Sequence, residues 1–311
     1  MGIHHVTAIA GDPQRNVDFY AGILGLRVVK KTVNFDDPET YHLYYGDGAG
    51  NPGTIMTFFP WGDGRRGRIG AGQLVTTSFS IQADSLGYWT ERLVESGVRF
   101  EKPRDRLGET ALTFSDPDGL RIELIAAQDD REGWAEGTTP AGDAIRGFHH
   151  VTLAVEEPER TAKLMTQTLG FRQTDETEGR TRFAAGDGGP GNMVDLSGAA
   201  GFPRGLMGVG AVHHVAFRVP DDESQLAVRE DVAALGYDVT PVLDRNYFRS
   251  IYFREPGGVL FEIATDPPGF AVYEPREGLG TNLKLPPWLE TRRERLEEIL
   301  PPLHLPPGGG E

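Results

Sequence analysis

The chain has 311 residues, 46 acidic against 31 basic for a formal net charge of −15, and no cysteine. A surface this acidic repels a phosphate backbone, which argues against nucleic acid as a partner. Without cysteine there are no disulfides or thiolate ligands, so any bound metal must be held by nitrogen and oxygen.

The N-terminus, Met1-Gly2-Ile3-His4, enters a predicted strand directly, with no charged-then-apolar leader. No apolar run reaches membrane-spanning length, so a soluble cytoplasmic protein of about two domains is expected. The first strand carries His4-His5-Val6-Thr7. After a turn at Asp12-Pro13 comes a helix-like stretch that stops at Leu24-Gly25-Leu26, where the glycine suits a left-handed cap. Strand-like Thr40–Tyr45 follows, then a closing segment, Gly53 to Thr57.

The same unit recurs along the chain. A degenerate copy runs from Leu74, with Asp84 or Ser85 as helix cap, Ser96-Gly97 as helix stop and a closing segment Gly119 to Glu123. Aligning Phe79 with Phe217 puts Thr76 where the other copies have histidine. The third copy opens on His149-His150-Val151-Thr152, stops its helix at Leu169-Gly170-Phe171 and closes from Gly191 to Asp195. The fourth opens on His213-His214-Val215-Ala216, stops at Leu235-Gly236-Tyr237, continues through a strand at Ser250–Phe253 and closes from Gly258 to Glu262. In every copy a glycine precedes by four residues a position reading Thr57, Glu123, Asp195 or Glu262.

These patterns predict an α+β protein of four βαβββ modules pairing into two incomplete β-barrels. The expected division is an N-terminal domain over 1–126 (modules one and two), a polar Gly/Pro-bearing linker over 127–147, a C-terminal domain over 148–266 (modules three and four) and an extension over 267–311. That extension should hold one charged helix, Trp288 to Leu300, before Gly308-Gly309-Gly310.

Six of the eight histidines sit in the three pairs. Side chains alternate along a strand, so one member of each pair should face a barrel interior and the other away. His5 shares a face with Thr7 and Ile9. A carboxylate such as Glu262, Glu123 or Asp195 on an otherwise apolar strand is costly to bury without a partner, and a metal ion supplies one. A single histidine at a strand start is more often a hydrogen-bonded core residue than a ligand. Three at equivalent positions, with acids at equivalent closing positions, favour the ligand reading. Module four alone offers both His214 and Glu262, and one more histidine, His5 or His150, completes a two-His-one-carboxylate triad with open positions.

The repeat, with the strings "GIHHVTAIAGDPQRNVDFYAGILGLRVVKKTVNFDDPETYHLYYGD", "GTIMTFFPW", "GFHHVTL", "HHVAF" and "RSIYFREPGGVLFEIATDPPGF", resembles the vicinal oxygen chelate superfamily over nearly the whole chain. That superfamily holds glyoxalase I, bleomycin-resistance proteins and extradiol dioxygenases. The strings are most similar to its hydroquinone- and catechol-cleaving dioxygenases. The resemblance implies a triad of His5, His214 and Glu262 holding Fe(II), with Mn(II) as the second choice. It implies a small aromatic substrate and O2, with Tyr252, ten residues before Glu262, on the phenolate and Arg245 near the substrate. The outer histidines His213 and His4 become acid/base candidates, although simple alternation turns them away. A homo-oligomer is compatible with the resemblance but not needed to complete a site. His150 with Glu123 or Asp195 is then an inherited pair without a job.

Two rival classes stand beside this one. A glyoxalase-like isomerase would use His150, Asp195, His214 and Glu262. A metal-free binding protein would use all six paired histidines structurally. His42 and His304 fall outside the pattern and read as ordinary histidines. The basic run Arg65-Arg66-Gly67-Arg68 reads as a solvated loop.

Overall fold

Two eight-stranded sheets, each curled into a half-barrel, carry the chain. The computed structural model describes residues 1–177 and 179–306. The terminal Gly308-Gly309-Gly310 lies outside the described residues.

Module one contributes β1 (Ile3–Ala10), β2 (Arg27–Val33), β3 (Tyr41–Gly46) and β4 (Ile55–Pro60). Its helix α1 (Pro13–Val17) widens into a π-helical stretch, Asp18–Ile23. Module two has β5 (Gln73–Gln82), α2 (Leu86–Glu95), β6 (Arg104–Arg106), β7 (Glu109–Ser115) and β8 (Arg121–Ala127). Module three has β9 (Gly147–Val155), α3 (Pro158–Gln167), β10 (Phe171–Thr177), β11 (Arg180–Ala185) and β12 (Met193–Gly198). Module four has β13 (Ala211–Val219), α4 (Asp222–Ala234), β14 (Leu243–Asp244), β15 (Arg249–Arg254) and β16 (Leu260–Thr265).

Local chemistry sets the helix ends. Asp12 and Asp221 cap α1 and α4 by accepting backbone N–H groups of Arg15 and Ser224. Ser85, not Asp84, takes the cap position of α2. The glycine after each helix, Gly25, Gly97, Gly170 and Gly236, has φ between 68° and 86°, a turn that a side chain would strain.

The pairing of modules differs from their order along the chain. One sheet runs β14-β15-β16-β13-β1-β4-β3-β2 and joins module four to module one. The other runs β10-β11-β12-β9-β5-β8-β7-β6 and joins module three to module two. The antiparallel seams β1·β13 and β5·β9 make these joins. Division at the linker therefore describes the sequence, whereas each barrel takes one module from either side of it. Local patterning could not show this, because a strand's hydrophobic face is the same whichever seam it joins.

Along each first strand one face is apolar. Val6, Val151, Val215 and Phe217 are fully buried in a core that runs continuously through both sheets, with Phe79, Phe148 and Phe261. The opposite face of the first sheet carries His5, Thr7 and His214 into a cavity. Segment 127–147 is packed rather than loose: Arg131 bonds Asp129 and the Phe148 carbonyl, and Thr138 bonds the Gly22 carbonyl. The extension is pinned by buried Lys30, whose ammonium pairs with Glu274 and donates to the Phe270 carbonyl. Its helix α5 (Arg293–Ile299) follows a 3-10 turn at Pro287–Arg292, inside the expected Trp288–Leu300 span. No helix among the described residues is long and apolar enough to cross a membrane.

Candidate metal centre

A backbone irregularity in each first strand lets both members of a histidine pair serve one site. Across the β1·β13 seam, His5 pairs with Ala216 and Thr7 with His214, while His4 and His213 are skipped by the register. Each outer histidine is thus the extra residue of a β-bulge, which re-aims side chains that strict alternation would send to opposite faces. In each pair the two Nδ1 atoms meet: 2.9 Å for His4–His5, 2.8 Å for His213–His214 and 2.8 Å for His149–His150. An imidazole whose Nδ1–H is given to its neighbour presents an Nε2 lone pair, the form a metal ligand needs. Burial holds His4, His214 and His213 below the ordinary imidazole range, His213 at about 3, which keeps these rings neutral.

The three ligand atoms converge. His5 Nε2 and His214 Nε2 are 3.2 Å apart, and Glu262 Oε2 lies 3.2 Å from the first and 2.9 Å from the second. Donor atoms about 2.1 Å from one ion and at right angles lie about 3.0 Å apart, against about 3.4 Å on a tetrahedron. The observed triangle, 2.9–3.2 Å on a side, spans these values and is of a size that three donors to one divalent ion would form. Glu262 is fully buried. Its Oε1 accepts from the Ser250 hydroxyl, while Oε2 has no hydrogen-bond partner despite the two short approaches. Burial opposes the carboxylate's charge; protons on the His5 and His214 nitrogens facing it would hold the group well below the usual carboxylate range, and a cation would take their place when those nitrogens present lone pairs. A buried, ionised oxygen without a hydrogen bond, facing two imidazole nitrogens, is the donor set of a divalent cation.

The repeat makes four equivalent positions comparable. First and closing strands pair Thr7 with Thr57, Ser78 with Glu123, Thr152 with Asp195 and Ala216 with Glu262. In the first sheet Thr57 therefore occupies the position that mirrors Glu262. Its hydroxyl bonds Thr7 at 3.0 Å and His42 at 2.8 Å. A metal held here would have three protein donors, since the fourth equivalent place holds a threonine.

The second sheet gathers His150 with Asp195 at 3.4 Å and Glu123 at 3.8 Å, and its acids are already neutralised. Arg182 clamps Asp195 at 2.8 and 3.1 Å, Arg106 clamps Glu123 at 3.1 and 2.7 Å, and Arg180 lies 3.3 Å from Asp195. Glu123 sits at about 2: burial opposes its charge, and Arg106 reverses the effect. Glu109, His149 and His150 also cluster, with Arg182 on Glu109 at 2.8 Å. The set His150, Asp195, His214 and Glu262 expected of the glyoxalase-like alternative is not assembled. Its two halves lie in different sheets, because module four pairs with module one.

Around the triad is a cavity of about 470 Å³. Tyr252 pairs with Glu262 on the neighbouring strand, its ring centroid 5.7 Å from that of His214. Burial, then the Glu262 charge, raise its phenol pKa, so it stays protonated. Arg245 donates to the Tyr252 oxygen at 3.3 Å and reaches Asp36 at 3.4 Å across the cavity. His213 lines the cavity wall. His4 does not; it lies behind His5, packed on Phe248 with centroids 5.0 Å apart. His42, read from sequence as ordinary, is in the wall with Tyr44, Phe59 and Trp61. The signal for it was present: His42 stands two residues before Tyr44 as Ser250 stands before Tyr252. His304 stays outside, held only through its backbone to Gln14. The arginine run joins modules, with Arg66 on the Asp118 carbonyl and segment 66–71 bridged to 204–209.

The model of the Glyoxalase/Bleomycin resistance protein/Dioxygenase superfamily matches residues 2–124 and 147–263. MhqO of Bacillus subtilis (strain 168), named as a ring-cleaving dioxygenase, is 48% identical over 307 residues, 98% of this chain and 97% of its own. The chlorohydroquinone/hydroquinone 1,2-dioxygenase of Sphingobium indicum is 37% identical over 303 residues, 95% of this chain and 94% of its own. A crystal structure of a Bacillus subtilis protein named as a dioxygenase superposes with a TM-score of 0.95 at 46% identity, covering 98% of both chains.

Proposed function

The chain belongs to the glyoxalase/bleomycin resistance protein/dioxygenase superfamily, and from that premise we propose that it is a metal-dependent, extradiol-type dioxygenase that opens the ring of a hydroquinone or catechol with O2. The observation that carries this reading is the three-ligand set His5, His214 and Glu262, closed by Thr57 rather than a second acid. Three neighbouring ligands leave places for both a phenolate oxygen and O2, as in two-His-one-carboxylate oxygenases. A second carboxylate, as the isomerase alternative requires, would fill one of them and supply the base for proton abstraction. The acids of the other sheet cannot play that part, since arginines hold them.

A divalent ion in this site, Fe(II) by preference and Mn(II) otherwise, supplies Lewis acidity toward the phenolate and electron transfer between ring and O2. Both atoms of O2 enter the product, and one ring C–C bond beside a hydroxylated carbon is broken. The chain's own residues do the positioning. Tyr252, protonated, donates to the phenolate oxygen. Arg245 places a fixed positive charge beside it, where negative charge moves from ring to oxygen. His213, whose Nδ1 accepts from His214, keeps its Nε2–H to donate to an oxygen in the cavity. Phe35, Phe59, Trp61 and Phe248 provide apolar walls for a flat ring.

Oxygen consumption tests the reading. Protein loaded with Fe(II) without air should take up one molecule of O2 per ring of catechol, methylhydroquinone or chlorohydroquinone, with a new visible chromophore. Metal binding with no oxygen uptake across that panel would reject ring cleavage.

A further inference from the structure

The repeat that places Tyr252 places a second phenol in the same cavity. In module four Tyr252 pairs with Glu262, and in module one Tyr44 pairs with Thr57. Tyr44 is therefore the internal counterpart of Tyr252, and both line the cavity. Four strands, β16-β13-β1-β4, separate their strands in the sheet order, so the two phenols reach the cavity from opposite flanks of the curled sheet.

Tyr44 is held as firmly as its counterpart. Its hydroxyl is 2.8 Å from His42 Nδ1, and the two rings stack with centroids 4.0 Å apart. His42 is sandwiched on its other side by Phe59 at 4.3 Å, and its Nε2 is 2.8 Å from the Thr57 hydroxyl, which meets Thr7 at 3.0 Å. A neutral imidazole donates at one nitrogen and accepts at the other, so the chain Tyr44, His42, Thr57, Thr7 runs consistently in either sense. In both, the Tyr44 hydroxyl keeps a hydrogen-bonding position for the cavity, a lone pair in one sense and its proton in the other.

The ligand set is lopsided: Glu262 on β16 is a ligand and Thr57 on β4 is not. A ring bound through one oxygen beside Tyr252 extends toward the side left open, which is the side of Tyr44. We infer that Tyr44, oriented by His42, is a specificity residue that hydrogen-bonds the substrate's second hydroxyl, and that this selects 1,4-dihydroxybenzenes over rings whose two oxygens share one edge. The inference rests on the ring-cleaving reading for the identity of the ligand but not for the contact itself.

Calorimetric titration under nitrogen, on the Fe(II)-loaded chain, compares hydroquinone with 4-methylphenol, which replaces the distal hydroxyl by a methyl group. The native protein should bind hydroquinone roughly five- to tenfold more tightly, the worth of one neutral hydrogen bond. In Tyr44→Phe that ratio should fall toward one, with catechol affinity unchanged. An unchanged ratio in the folded variant overturns the inference. Should Tyr44→Phe fail to fold, His42→Gln replaces it. It loosens Tyr44 without removing the hydroxyl and should lower the ratio by a smaller factor; an unchanged ratio there overturns the inference equally. The ratio is read without O2. Failure of the ring-cleaving reading would appear as absent oxygen uptake with the ratio and its loss in Tyr44→Phe intact. Failure of this inference would appear as normal uptake with a ratio indifferent to Tyr44.

Discussion

Replacing His5 or His150 by alanine separates the two candidate third ligands through stability, without any assay of turnover. His5 Nε2 lies within 3.2 Å of both other ligand atoms, whereas His150 is in the other sheet beside Asp195. A metal that binds only the folded state stabilises it by RT ln(1 + [L]/Kd), about 4.1 kcal/mol at a thousandfold excess over Kd. For 311 residues at roughly 2.1 cal/mol/K each, 1 kcal/mol moves Tm by about 1.5 °C, so saturating Mn(II) should raise Tm by roughly 6 °C. Loss of a direct ligand should weaken binding at least as much as the 10–100-fold seen for outer-shell partners. A hundredfold loss leaves about 1.4 kcal/mol, or roughly 2 °C. In differential scanning calorimetry, His5→Ala should therefore lose most of the metal-induced shift. His150→Ala should start from a lower baseline, because it empties a buried site, and keep the full shift. A full shift in His5→Ala with loss in His150→Ala would refute the assignment of the triad.

Tyr252→Phe should lower kcat/KM on a hydroquinone by 10- to 100-fold while leaving the Mn(II)-induced Tm shift intact; equal loss of both would mean that Tyr252 supports the ligands rather than the substrate. Arg182→Met leaves Asp195 and Glu109 without their main cation, which should cost about 3–5 kcal/mol in denaturant unfolding, with oxygen uptake by the folded enzyme retained because the other sheet holds the triad. Asp116 is buried, and burial raises its carboxyl to about 6 despite the N–H groups of Asp118 and Leu120. Its folded pKa exceeds the unfolded 3.8, so its favourable contribution is complete below pH 3.8 and is lost as pH rises through 6. Asp116→Asn, which keeps an acceptor for those N–H groups and can donate to Tyr20, should be more stable than the native chain by about 3 kcal/mol at pH 7, with the gap closing toward pH 4 in urea titrations; a gap independent of pH would show that the carboxyl is not ionising there.

Much of this architecture was written locally and could be read locally. The histidine-valine strand openings, the glycine helix stops and the closing acids recur at fixed offsets, so four modules and the pair His214 and Glu262 were legible from the pattern; it left His5 and His150 open as the third member, and only the family resemblance pointed to His5. Two properties were not. Which modules share a sheet is decided by seams between strands some 200 residues apart in one case, and a strand's apolar face does not specify its partner. The place of His213 in the cavity wall depends on a bulge that overrides simple alternation, whereas His4, at the matching bulge, stays behind His5 and outside the cavity, as alternation had it. His42 was passed over because it heads no strand opening, and only the register shows it standing two residues before the counterpart of Tyr252.

The same register distinguishes the acids of the two sheets. Beside the four closing positions the neighbouring strand places Tyr44 against Thr57, Thr113 against Glu123, Arg182 against Asp195 and Tyr252 against Glu262. Where that neighbour is Arg182, a guanidinium clamps the carboxylate from within the chain, reinforced by Arg180 two residues earlier on β11. Where the neighbour is Tyr252, with Ser250 two residues earlier, the carboxylate receives one hydroxyl hydrogen bond and keeps an oxygen facing two imidazoles. A buried carboxylate must be compensated in either case. An internal arginine compensates it permanently and fills the space, whereas a tyrosine leaves the charge for the proposed metal ion and the space for the proposed substrate. On a shared backbone plan, the residue at that one register position separates a structural salt bridge from a centre able to bind and activate a ligand.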